Sequence, residues 1–173
     1  MLINEILNAI TAPQIALKEE ILLNLKLFIN CEDLDVLYNT ILNYGSISIC
    51  EEGKLKCVEE GTIIQNFIEK LKEFNNDNKR DVKKVVQILI GCTRFLMNVS
   101  ILRRGKEEIY EFNGIEILFE LFNGNFKDNE QLILNTLQCI SNFADEPRAR
   151  KWLRTVKYLE IIITQQINIF LYL

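Results

Sequence analysis

The chain has 173 residues and no histidine. That absence removes the usual general base near neutral pH, the Ser–His and Cys–His nucleophile pairs, and the commonest zinc ligand. Neither G-x-x-x-x-G-K-[ST] nor G-x-G-x-x-G occurs, so no loop is expected to cradle a phosphate. Only two prolines and seven glycines interrupt a chain rich in Leu, Ile, Glu and Lys, which favours helix throughout. The cysteines (Cys31, Cys50, Cys57, Cys92 and Cys139) include no C-x-x-C pair. Cys92 and Cys139 fall at helix positions expected to be buried, so they read as small core residues of a reducing compartment. No uncharged apolar run approaches ~18 residues, so no spanning helix is expected. The opening MLINEILNAI lacks the basic n-region of a secretory signal. No long basic run exists and the formal charge is −4, which argues against general nucleic-acid binding. The acidic pairs Glu19-Glu20, Glu51-Glu52, Glu59-Glu60 and Glu107-Glu108 point about 100° apart if helical and read as solvated faces. Asn98-Val99-Ser100 matches the glycosylation sequon but lies in a core-forming helix. The expectation is a cytoplasmic, non-enzymatic protein with no cofactor, no metal, no membrane partner and no nucleic-acid partner.

What the chain does have is self-similarity. Asn98, Val99 and Ile109 recur as Asn142, Phe143 and Leu153, each 44 residues later. Looking backward, residues 46–71 lie under 98–122 at an offset of 52, with one extra residue before Gly114. Ser48, Ile49, Gly53 and Lys54 then fall under Ser100, Ile101, Gly105 and Lys106. Each unit reads as a short helix, a Gly turn, an apolar helix, a polar loop and a long amphipathic helix. Units of this length predict a single all-α domain, an α-solenoid of stacked hairpins. The expected divisions are a diverged unit over 1–45, repeats over 46–101 and 102–145, and a truncated repeat over 146–173. In the first unit, Asp33 is expected to cap a helix that Gly45 stops. In the second, Asp81 is expected to cap a helix reaching Val99, with Val85, Leu89, Cys92, Leu96 and Val99 as its buried stripe. Ile133, Leu137, Ile140 and Ala144 make the corresponding stripe in the third. Gly61 and Gly114 are expected at the sharp turns between helices.

The sequences FNGIEILFELF and LILNTLQCISNFAD resemble the armadillo repeat pattern, and FLMNVS (95–100) resembles its third-helix ending one repeat earlier. The resemblance covers about residues 53–155. It implies a right-handed superhelix whose third helices line a concave groove that binds protein partners. Asn98 and Asn142 match the asparagine that bonds an extended peptide in members of that family. The alternative is that each caps its own helix end. Arg94 and Gln138 stand where the nuclear-import branch carries tryptophan, which counts against recognition of basic cargo peptides; Arg94 instead makes the groove locally positive, closer to the branch of the family that binds acidic, extended partners. NVSILRRGKEEIYEF further resembles the armadillo proteins of cilia and flagella, the radial-spoke component among them, which implies a place in the axoneme.

Two other surfaces compete for the role. Arg103, Arg104 and Lys106, with Arg148, Arg150, Lys151 and Arg154, occupy equivalent first-helix segments and would stack into one basic ridge facing an acidic protein surface. Residues 158–173 form an apolar segment that implies either homo-oligomer or assembly contact, with Trp152 as an anchor, or a solenoid that continues beyond residue 173.

Overall fold

A chain with so few helix breakers, punctuated by Asp and Asn caps, folds as the sequence pattern requires. The computed structural model describes residues 21–77, 80–144 and 146–147, and these are all-helical, with no strand among them. The elements are α1 (Ile21–Lys26), α2 (Leu34–Ile47), α3 (Glu51–Glu59), α4 (Ile63–Asn75), α5 (Val82–Val99), α6 (Arg103–Glu111), α7 (Gly114–Glu120) and α8 (Glu130–Ser141). The order of short, second and long helix thus occurs twice, as α3–α4–α5 and as α6–α7–α8.

The long helices share a start signal. Asp33 accepts from the Asp35 and Val36 amides at 2.8 and 3.1 Å, and Asp81 from those of Lys83 and Lys84 at 2.9 and 3.4 Å. Asn129 does the same for Leu132 at 3.0 Å. Each cap satisfies helix-end donors that would otherwise lack a partner, an effect of about 1 kcal/mol. Asp33 and Asp81 are the caps expected from the sequence.

α5 is the centre of the core. It packs against α2 on one side, α8 on the other, and α4 beneath. All five residues of its expected stripe are fully buried. In α8 the stripe is rotated from the expected one. Ile133 and Ile140 are buried with Leu132, Thr136 and Cys139, whereas Leu137 is half-buried and Ala144 exposed. Leu137 on α8 and Ala144 just beyond it occupy the places of Thr93 on α5 and Ser100 just beyond it, and α8 itself covers that flank of α5. Tyr44, Phe67 and Phe95 knit α2, α4 and α5 together, the last two stacked at 4.0 Å and Tyr44 edge-on to both. The Tyr44 hydroxyl donates to the Leu22 carbonyl at 3.2 Å and so ties α1 to the same cluster. Burial pushes the Cys57 and Cys139 thiols up to about 12, so both stay protonated at neutral pH, inert members of the core.

The two units turn in the same way at the same places. The first helix of each unit begins at Glu51 and at Arg103, and Gly53 and Gly105 sit inside its first turn. A Cβ at Gly53 would lie 1.9 Å from the Ile47 carbonyl oxygen, and one at Gly105 would lie 2.2 Å from that of Val99. Only a hydrogen fits against those carbonyls. Between first and second helix the chain passes through a left-handed residue, Gly61 at φ 69° and Asn113 at φ 56°. These are 52 positions apart, so the extra residue expected before Gly114 is not needed. Asn tolerates this region better than other residues with a Cβ. Gly114 instead follows as the first residue of α7, where a Cβ would meet Ile109 and Ile68 at under 3 Å. Gly45 does not stop α2, which runs two residues further to Ile47 and is capped at Ser48.

Candidate interaction face

The groove residues expected from the sequence divide into two kinds. Arg94 and Gln138 are exposed, while Asn98 is buried and Asn142 half-buried. The amides of Asn98 and Asn142 point into the seams between long helices. Asn98 Nδ2 donates to Ser48 Oγ at 3.0 Å and to the Gly45 carbonyl at 3.4 Å. Asn142 Nδ2 donates to Ser100 Oγ at 2.8 Å and to the Met97 carbonyl at 3.1 Å. The serine hydroxyls donate to the same carbonyls, Gly45 at 3.0 Å and Met97 at 2.8 Å. Those carbonyls lie in the last turn of their helices, where no intrahelical amide reaches them. Each asparagine therefore caps the end of the preceding long helix. Both amides are thus turned into the seams and not outward; Asn142 also stands as the C-cap residue of α8, as expected, whereas Asn98 lies inside α5, whose C-cap is Ser100. The repeat alignment had already paired Ser48 with Ser100 and Asn98 with Asn142; the link between the two pairs was the missing step.

The seams also fix direction. Lys84 near the start of α5 meets Asp35 near the start of α2 at 2.6 Å, and Asn98 near its end meets Ser48 at the other end. α2 and α5 are therefore parallel, and the Asn135–Ile90 and Asn142–Ser100 bonds make α8 parallel to both. Because all three bury one stripe in the same core, their opposite stripes share an outer face. On it lie Tyr38 and Leu42 from α2, then Ile90, Arg94 and Met97 from α5, then Leu134 and Gln138 from α8. Ile49 and Ile101, just beyond α2 and α5, are 55% and 60% exposed, and Leu134 is 43% exposed. Arg94 has no ion pair or hydrogen bond among the described residues.

The described half of the basic ridge is not a ridge of free positive charge. Arg103 pairs with Glu107 at 3.0 Å and Arg104 with Glu108 at 3.3 Å, both one turn along α6, and Lys106 is buried. Burial raises the Glu108 carboxyl above its ordinary range, opposed by the Arg104 guanidinium. With Glu111 the helix RRGKEEIYE carries three cations and three anions. Arg148, Arg150, Lys151, Arg154, Trp152 and the segment 158–173 lie outside the described residues.

One cleft of about 420 Å³ opens between α6 and the chain around Phe143 and Pro147, with Arg103, Glu107, Tyr110 and Glu111 on its walls. Its charges are of both signs, and they present no nucleophile paired with a base. Among the described residues no group of Cys, Asp and Glu could hold a metal ion, and no helix is long and apolar enough to cross a membrane. Compared with protein-family models, curated proteins and solved structures, the chain matches none.

Proposed function

We propose that this chain is an armadillo-like α-solenoid acting as a protein-binding scaffold through the outer face of α2, α5 and α8. The observation that carries the reading is that face: three parallel helices in one layer, exposing aliphatic side chains around Arg94, which pairs with none of the described residues. Isolated exposed apolar residues are ordinary on a protein surface, but here exposed Ile49 and Ile101 stand at equivalent positions, and exposed Leu134 stands where α5 has the half-buried Ile90. The solenoid reading is supported by the shared glycine contacts at Gly53 and Gly105, the left-handed turns at Gly61 and Asn113, and the paired asparagine caps. The charge balance of α6 makes the face a better candidate than the ridge.

The test is affinity enrichment from a lysate with the intact chain, an Ile101→Glu/Arg94→Glu variant, and an Arg103→Glu/Arg104→Glu variant. Loss of the same bound protein with the first variant alone supports the face. Loss with the second alone moves the site to α6. An assembly through residues 158–173 predicts instead that neither variant matters and that light scattering gives more than the monomer mass.

A further inference from the structure

The proposed face also carries information on the shape of its occupant, and the following rests on the reading of that face as a binding surface. A groove that holds an extended peptide needs donors and acceptors aimed outward to meet the peptide backbone. In this chain the amides best placed for that task, Asn98 and Asn142, are already bonded to Ser48, Gly45, Ser100 and Met97 within the seams. Asn135 is likewise bonded to the Ile90 carbonyl at 3.2 Å. What the face offers outward is mainly side chain: Ile49, Ile101 and Leu134, with half-buried Tyr38 and Ile90 beside them, the Arg94 guanidinium among them and one exposed amide, Gln138. Such a surface reads the side chains of a partner whose own backbone is already satisfied. A helix meets that condition, because its amides and carbonyls bond one another.

The spacing agrees. Packed helices lie roughly 8–10 Å apart, so equivalent apolar side chains on α2, α5 and α8 recur at about that interval across the layer. Side chains seven residues apart on a crossing helix lie on one face and are separated by about 10.5 Å. The exposed guanidinium in the middle row, paired with none of the described residues, calls for a carboxylate opposite it, which it can hold in a two-pronged bond. We infer that the α2–α5–α8 face binds an amphipathic helix of a partner protein, with apolar residues recurring every two turns and a Glu or Asp seated on Arg94.

The experiment selects two displayed peptide libraries against the intact chain. One is built on amphipathic helices randomised on one face, the other on proline-punctuated extended peptides. Survivors are counter-screened against the Ile101→Glu/Arg94→Glu variant. The expected result is enrichment from the helical library alone, with an acidic residue at a fixed position. Binding should weaken about tenfold with Arg94→Glu and return when that acid is changed to lysine. Enrichment of extended peptides that still depend on Ile101 and Arg94 would overturn the helical occupant and leave the face standing. Clones that bind both chain and variant equally would overturn the face as well.

Discussion

α5 faces two neighbours, and its two seams solve one packing problem with different chemistry. At their C-terminal ends they are alike, each closed by an asparagine amide, a serine hydroxyl and an orphan carbonyl. In the middle they diverge. Where α2 meets α5, Gly91 lies against Ile41, and a Cβ there would stand 2.5 Å from the Ile41 methyl. At the equivalent places where α5 meets α8, the glycine has become Asn135 and the isoleucine Thr93. There the amide donates to the Ile90 carbonyl at 3.2 Å and to Thr93 Oγ1 at 3.4 Å. One seam gains its cohesion by close apolar approach, the other by satisfying polar groups that burial would otherwise penalise. The difference teaches that the C-terminal cap is the common element, while the centre of each seam admits either solution as long as both partners change together.

The largest effect tests that last point. Gly91→Asn places a polar side chain against Ile41 with no room for it and should cost about 3 kcal/mol of unfolding free energy. Adding Ile41→Thr copies the other seam and should recover more than half of the loss, a coupling read directly from a double-mutant cycle in urea. Additive losses would show that the two seams are not interchangeable. A smaller effect compares the caps themselves. Asn98→Ala removes a buried amide from Ser48 and Gly45 and should cost about 2 kcal/mol, whereas Asn142→Ala, half-buried, should cost about 1 kcal/mol. Equal losses would mean that burial does not set the strength of the clasp.

These seams mark the boundary of what the sequence discloses. Periodicity places the buried stripe of α5 residue by residue, because a stripe repeats every three or four positions within one helix. The Asp33 and Asp81 caps are equally local. Asn98 to Ser48 spans fifty positions and two helices, and no spacing rule connects them. The neutral α6 was within reach, since Arg103 with Glu107 and Arg104 with Glu108 are one-turn pairs, but counting only the cations hid it. Gly45 misleads for a related reason. A glycine usually ends a helix when its last carbonyls need an escape, and here Ser48 and Asn98 satisfy the Gly45 carbonyl and let α2 continue.

The smallest effect separates the seams at their N-terminal halves. The α2–α5 seam is closed there by the Lys84–Asp35 pair at 2.6 Å, exposed to solvent, whereas the α5–α8 seam relies on the neutral Asn135 amide. The bond to Asp35 holds the Lys84 ammonium above its ordinary range. A raised lysine contributes its stabilisation in full below the unfolded-chain pKa, and loses it only as pH climbs through the folded one. The pair is therefore intact across neutral pH and weakens in strong alkali. Salt reaches it more easily, since at ~1 M the screening length falls to about 3 Å. Hydrogen exchange should then quicken in the first turns of α2 and leave α8 unchanged. Lys84→Gln should reproduce the quickening at low salt and abolish any further response to added salt. An equal response in both helices would mean that the ion pair does not hold its seam, and that close contact at Gly91 is sufficient by itself.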